Sequence, residues 1–166
     1  EYFAYWIEGN YKKYRELLAN FATNSRVFAI QGFVGFNDTD GLDAILAKTA
    51  CPPEFDILSV DIDGNDFHVW DAVKRYRPKV VIIEYNPTIP NGVLFIQDKN
   101  NALTQGASLD ALTQLAKGKN YELIATTTTN AFFVDQKYFS IFAIADNSVA
   151  ALRPEQPAVT HLFCEY

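Results

Sequence analysis

Acidic residues follow three apolar runs of this 166-residue chain, and they are its strongest candidates for chemistry. Glu8 ends the first run, Asp61 and Asp63 follow the run 55–60, and Glu84 ends the run 80–83. In an open parallel sheet, ligands bind outside the carboxyl ends of the strands. A carboxylate in that position can accept hydrogen bonds from ribose hydroxyls, which is the role expected for Glu8. The alternative for Glu8 is a charge that stabilises the start of a helix.

The segment Asp61-Ile62-Asp63-Gly64-Asn65-Asp66 has two chemical interpretations and one structural interpretation. It resembles the DxDG signature of haloacid-dehalogenase-type phosphatases, in which the first aspartate is the nucleophile and the second is the general acid. Asn65 replaces the usual Thr or Val, and the downstream metal motif of those enzymes is missing, so this interpretation is disfavoured. A calcium loop needs an acid where the chain has Ala72, and no metal site is predicted. Structurally, Gly64 makes the turn and Asp66 caps the next helix.

Strands and helices alternate along the first half of the chain. Apolar runs that end at turn residues predict strands at 3–8, 27–33, 55–60 and 79–85. Helical spacing of apolar residues predicts helices after Asn10, around 42–46 and over 66–76. This order with short connections predicts an α/β fold with a parallel sheet that helices cover.

The second half departs from that alternation. Residues 86–105 lack periodicity, and a loop of about 20 residues is usually functional. A helix over 107–118 and an antiparallel strand pair at 121–126 and 130–134 are predicted next, whereas 138–145 is compatible with either helix or strand. The predicted domain covers 1–145, and 146–166 forms a C-terminal extension.

Composition excludes several classes of protein. Apolar residues make up 49% of the chain and charged residues 20%, which excludes a disordered chain. The longest apolar runs are too short to span a bilayer, and a net charge of −6 argues against duplex nucleic acid as a partner. The two cysteines form no disulfide or zinc pattern, so we expect a reducing, cytoplasmic location.

Two segments together resemble a known family. Residues 55–67 and 77–87, supported by 106–109 and 130–134, are similar to the FkbM-type branch of the class I S-adenosylmethionine-dependent methyltransferases. The similarity extends from residue 8 to about 139. It implies a Rossmann-like sheet of seven strands in the order 3-2-1-4-5-7-6, S-adenosylmethionine as methyl donor, and a small molecule with a hydroxyl group as acceptor.

The resemblance also implies roles for individual residues. Carried over by position, Glu8 would hold the donor ribose, Gly32 and Phe33 would lie near the adenine, and Asp61 would lie near the methionine portion and the acceptor. Asp61 or His68 would help to deprotonate the acceptor hydroxyl. A lone histidine such as His68 is, however, more often a packing residue. The residues expected to bind the donor are Glu8, Gly32, Phe33, Asp61 and Asp63. Of these, we expect Glu8, Gly32, Asp61 and Asp63 to border one cleft.

One feature of such enzymes is not found in this sequence. A glycine-rich loop and the strand before it would precede Glu8, but the chain begins at Glu1 without a methionine, so an N-terminally incomplete sheet is expected. Either a missing N-terminal segment or a protein partner completes the sheet, or the strands at 3–8 and 55–60 pair directly. A catalytically inactive structural or binding subunit of a larger assembly is therefore the alternative function.

Overall fold

The computed structural model describes residues 2–153 and shows a mixed α/β protein with parallel strands and an antiparallel pair. This confirms the predicted α/β class. The chain divides into two compact units, Glu1–Cys51 (unit 1) and Pro52–Tyr166 (unit 2). Most of the predicted extension, 154–166, lies outside the described residues. Within 2–153, no helix is long and apolar enough to cross a membrane.

Unit 1 is built around a pair of parallel strands. Its elements are β1 (Ala4–Glu8), α1 (Tyr11–Asn20), β2 (Val27–Gln31) and α2 (Leu42–Leu46). β1 and β2 pair in parallel from Ala4 opposite Val27 to Glu8 opposite Gln31. The side chain of Asn10 accepts hydrogen bonds from the amides of Lys12 and Lys13, so the predicted start of α1 is confirmed.

Unit 2 contains a four-stranded sheet in the order β3-β4-β6-β5. β3 and β4 are parallel, whereas β6 is antiparallel to both of its neighbours. The predicted antiparallel pair is therefore confirmed, and its second strand lies next to β4. The elements of unit 2 are β3 (Glu54–Val60), α3 (Asp66–Ala72), β4 (Arg77–Glu84), α4 (Leu109–Gly118), β5 (Tyr121–Thr126), β6 (Asn130–Asp135), a 3₁₀ helix (Gln136–Phe142) and α5 (Val149–Leu152).

The core of unit 2 lies against one face of this sheet. Val81 and Ile83 alternate along β4 and are fully buried, as the period of two along a strand requires. The Trp70 ring of α3 lies 5.2 Å from the Phe133 ring of β6 and meets the Tyr121 ring of β5 edge-on at 5.8 Å. These contacts pack α3 against β5 and β6.

The boundaries of α3 and β4 differ from those predicted. α3 ends at Ala72 and not near residue 76, because Val73 is already extended with ψ 117° and directs the chain towards β4. β4 begins at Arg77, two residues earlier than predicted. There the Arg77 Nε donates to Asp135 Oδ2 at 2.6 Å, and this ion pair joins β4 to β6 at the end opposite the candidate site.

The described strand ladders lie within the units: β1 pairs with β2 in unit 1, and β3 pairs with β4 in unit 2. Direct pairing of 3–8 with 55–60, and completion of the sheet by another segment or a partner, both stay predictions.

Candidate functional site

A tight turn after β3 positions the aspartates of unit 2. Asp63 has a left-handed φ of 56° and Gly64 a φ of 145°. Aspartate tolerates the first conformation, but the second is accessible essentially to glycine alone. The predicted role of Gly64 in the turn is confirmed.

Asp66 closes this turn instead of capping α3. Its Oδ1 accepts from the Ile62 amide at 3.0 Å and its Oδ2 from the Gly64 amide at 2.9 Å. The N-cap position of α3 belongs to Asn65, whose side chain makes no capping bond. The predicted cap by Asp66 is therefore wrong, because its carboxylate faces the two turn amides that precede the helix.

The long loop between β4 and α4 packs onto the turn. A Cβ atom on Gly64 would lie 2.6 Å from the Leu103 carbonyl oxygen, so a side chain does not fit there. Gln97, which is 3% exposed, holds the loop in place: its Nε2 donates to Asn65 Oδ1 at 3.0 Å, and its Oε1 accepts from the Gly106 amide at 2.8 Å. The Nε2 of His68 lies 2.8 Å from the Gln97 carbonyl oxygen. Loop and turn thus form one hydrogen-bonded assembly.

Three carboxylates converge at the ends of β3 and β4. One carboxylate oxygen from each of Asp61, Asp63 and Glu84 lies within 4.8 Å of the others. Asp61 and Asp63 are exposed, and Glu84 is half-buried. They adjoin a cleft of about 480 Å³, here called the carboxylate cleft. Its lining residues are Asp63, Gly64, Asp66, Glu84, Tyr85, Asn86, Pro87, Thr104, Gln105 and Gly106.

The environment of Glu84 favours its protonated form. Burial, followed by the negative charges of Asp61, Asp66 and Asp63, raises the pKa of Glu84 to about 7. Burial also raises the pKa of Asp66, while the amides of Gly64 and Ile62 act in the opposite direction. Glu84 therefore exchanges its proton close to neutral pH, as a general acid or base requires.

The same three carboxylates are the only cluster among the described residues whose geometry suits a metal ion. Carboxylate oxygens are ligands for Mg²⁺ or Ca²⁺. Exposed acidic groups commonly lie together without a metal, and we assign none here.

The predicted donor-binding residues of unit 1 lie together at the carboxyl end of β1 and β2. The Gly32 amide donates to the Glu8 carbonyl oxygen at 3.1 Å, and the Glu8 side chain accepts from the Asn10 amide at 2.7 Å. Phe33 is 80% exposed, and its ring lies over Gly9. Asp61 and Asp63 belong to unit 2, so a single cleft with Glu8 and Gly32 stays a prediction.

The sequence identifies Glu84 as an acid at a strand end but assigns it no role of its own. Gln97 lies in a loop without periodicity, and no local pattern in the sequence indicates its contacts with Asn65 and Gly106.

Comparison with family models, curated proteins and solved structures found no match for this chain.

Proposed function

We propose that this protein is an FkbM-like, S-adenosylmethionine-dependent methyltransferase with a Rossmann-like fold, which methylates a hydroxyl oxygen at the carboxylate cleft. The observation that carries the proposal is the convergence of Asp61, Asp63 and Glu84 at the carboxyl ends of two parallel strands. Ligand sites of parallel α/β sheets occupy this position. The order β3-β4-β6-β5 also agrees with the 4-5-7-6 half of the sheet that the resemblance implies.

The charge of the cleft suits the methyl donor. When bound, S-adenosylmethionine supplies an electrophilic methyl group on a positively charged sulfur. Clustered carboxylates attract a cation, and neither lysine nor arginine is among the described residues that line the cleft. The carboxylates of the cleft would therefore attract the positively charged sulfur of the donor. The ribose contact of Glu8 stays a prediction from the resemblance.

Glu84 is the group that we expect to accept the acceptor's proton. A base is most effective when its pKa lies near the working pH, and that of Glu84 is raised to about 7. Burial, followed by the negative charges of Asp61, Asp66 and Asp63, keeps the pKa of Glu84 there. Asp61 stays a candidate to share the proton. The Glu84 carboxylate would take the hydroxyl proton while the acceptor oxygen takes the methyl group, and the donor would leave as a neutral thioether.

His68 is better suited to positioning than to proton transfer. The Nε2 atom of its buried ring contacts the Gln97 carbonyl oxygen at 2.8 Å, and Gln97 in turn holds Asn65 and Gly106. The catalytic role of His68 stays a prediction. Its contact with Gln97 favours a role in positioning the loop.

The experiment measures donor binding by calorimetry, and transfer of a labelled methyl group to a panel of hydroxyl compounds. Glu84→Gln and Asp61→Asn should lower transfer by about 100-fold or more, the scale of a lost general base. Asp56→Asn is the matched control, because Asp56 stands on β3 at the opposite end and pairs with exposed Lys79. Absence of donor binding would contradict the proposal, and binding without transfer would favour the inactive binding subunit.

The phosphatase interpretation gains no support from the cleft. A phosphate ester would meet three carboxylates there. The described lining contains no lysine or arginine to offset that repulsion.

A further inference from the structure

Arg153 is a buried cation at the edge of unit 2. Only 6% of this residue is exposed. Its Nη1 donates to the Ile89 carbonyl oxygen and to Asn91 Oδ1, both at 2.8 Å, and its Nη2 donates to the Pro87 carbonyl oxygen at 2.6 Å. All three acceptors are neutral. Burying a charge without an opposite charge is costly, and none of these three acceptors carries one.

Among the described residues, no carboxylate forms an ion pair with Arg153. The remaining described partner is Tyr85, whose ring centroid lies 5.2 Å from the guanidinium carbon. Burial raises the pKa of Tyr85, and the Arg153 charge acts against that rise. The tyrosine therefore stays neutral at neutral pH and contributes no negative charge.

Arg153 lines a cavity of about 280 Å³, here called the Arg153 pocket, together with Tyr85, Pro87, 126–128 and Leu152. The hydroxyl of Thr126 donates to the Leu152 carbonyl oxygen at 2.7 Å. Within the described part of the chain, the hydroxyl of Thr128 has no hydrogen-bond partner. An arginine beside a hydroxyl donor is a combination that binds carboxylate or phosphate oxygens.

The Arg153 pocket and the carboxylate cleft share a wall. Tyr85 and Pro87 line both cavities. One cavity therefore carries negative charge, and its neighbour carries a buried positive charge. A ligand with a neutral hydroxyl at one end and an anionic group at the other is complementary to this pair in one orientation only.

We propose that the Arg153 pocket binds the anionic group, a carboxylate or a phosphate, of the hydroxyl compound whose hydroxyl enters the carboxylate cleft. This inference rests on the proposed function. It narrows the acceptor to hydroxy acids and phosphorylated alcohols.

The test is an NMR titration with inorganic phosphate and, separately, with acetate, against sodium chloride at matched ionic strength. Amide signals of 126–128 and the side-chain signal of Arg153 should shift in a saturable manner. Whichever probe binds more tightly identifies the anion. Arg153→Gln should weaken binding about 10-fold or more, the scale of a lost charge-assisted hydrogen bond. Arg75→Gln, which removes the same charge from an exposed position of unit 2, should leave it unchanged.

A milder variant keeps the test valid if Arg153→Gln does not fold. Thr128→Val preserves the shape of the side chain and removes one donor, so it should weaken binding about 3- to 10-fold. Shifts no larger than those with chloride, or equal affinity in the Arg153 and Arg75 variants, would overturn the anion site.

Methyl transfer separates this inference from the proposed function. Glycerol phosphate and glycerate should be methylated in preference to glycerol, and Arg153→Gln should abolish that preference. Equal transfer to all three would overturn the acceptor assignment and leave the methyltransferase proposal intact. Anion binding without transfer to any compound would contradict the proposed function, and the acceptor assignment with it.

Discussion

Each unit contains a pair of parallel strands with a glutamate at the carboxyl end of one strand, yet the two surroundings differ. In unit 1, Glu8 accepts a local hydrogen bond from the Asn10 amide. In unit 2, Glu84 is held beside Asp61 and Asp63 at a pKa of about 7. Unit 2 also buries more apolar side chains than unit 1 does. Among the described residues, Leu42 and Leu46 are the only buried apolar ones of unit 1, whereas unit 2 has the Trp70 and Phe133 core.

This difference shows why clustered carboxylates require a well-packed surrounding structure. Carboxylates repel one another, so they stay together only where packing elsewhere supplies the free energy. In unit 2, the apolar core and the hydrogen bonds of the loop around Gln97 supply this free energy. Acidic strand ends occur in both units, and in unit 2 three carboxylates lie together beside a packed core.

The largest expected effect is on the free energy of unfolding, and it tests whether unit 2 is packed more tightly than unit 1. Phe133→Ala removes a fully buried ring that Trp70 contacts, and should lower the free energy of unfolding by about 3–5 kcal/mol. Phe28→Ala in unit 1 removes a ring that is 43% exposed, and should cost less than half as much. Denaturant titration measures both. Equal losses would contradict the contrast between the units.

The second prediction concerns the turn. Gly64→Ala places a Cβ atom against the Leu103 carbonyl oxygen at a φ that alanine avoids, and should cost about 1–3 kcal/mol. The signals of Gln97 and Gly106 should shift with it. Gly118→Ala is the control, since its Cβ would meet nothing within 4 Å. The control should be neutral or stabilising. A similar loss of unfolding free energy in both variants would show that the turn at Gly64 has no special requirement for glycine.

The third prediction is a pH dependence. The pKa of Glu84 is about 7 in the folded protein against an ordinary 4.5, so the folded state binds more protons between these values. The free energy of unfolding should therefore fall as the pH rises from 4.5 to 7. Glu84→Gln removes this loss, and should be more stable than the unmodified protein by about 1–3 kcal/mol at pH 8. Near pH 4 the two should be nearly equal.

The control for that measurement is Glu54→Gln. Glu54 is exposed at the amino end of β3 and pairs with Lys137 at 3.4 Å. Its variant should keep the pH dependence of the unmodified protein. A Glu84→Gln variant that keeps it as well would show that Glu84 is not the group responsible.

The smallest expected effect is at Glu8. Glu8→Gln preserves an acceptor for the Asn10 amide, so stability should change by less than about 0.5 kcal/mol. If Glu8 binds the donor ribose, donor affinity should fall about 10-fold in calorimetry, the scale of one charge-assisted hydrogen bond. Unchanged affinity would remove Glu8 from the donor site.

Local patterns predicted the elements of this protein better than its site. The apolar run 80–83 identifies β4, and Asn10 marks the start of α1, because both signals depend on near neighbours in sequence. The end of α3 at Ala72 depends on where the chain must go next. Asp66 has the residue type of a helix cap, but which amides it faces depends on the turn.

The contacts that shape the site are long-range. Gln97 reaches Asn65, and Arg153 reaches Pro87, over separations that no sequence period records. Asp61, Asp63 and Glu84 could be placed at strand ends from the sequence. The raised pKa of Glu84 could not be predicted from the sequence, because it depends on burial and on the distances between charges.

The pKa of Glu84 is the most direct test of the central claim, and NMR of its side-chain carboxyl carbon from pH 3 to pH 9 measures it. The account predicts a midpoint of about 7. In Asp61→Asn the midpoint should move part of the way towards 4.5, because burial remains the larger cause. A midpoint near 4.5 in the unmodified protein would contradict the account, since Glu84 would then be an ordinary surface carboxylate.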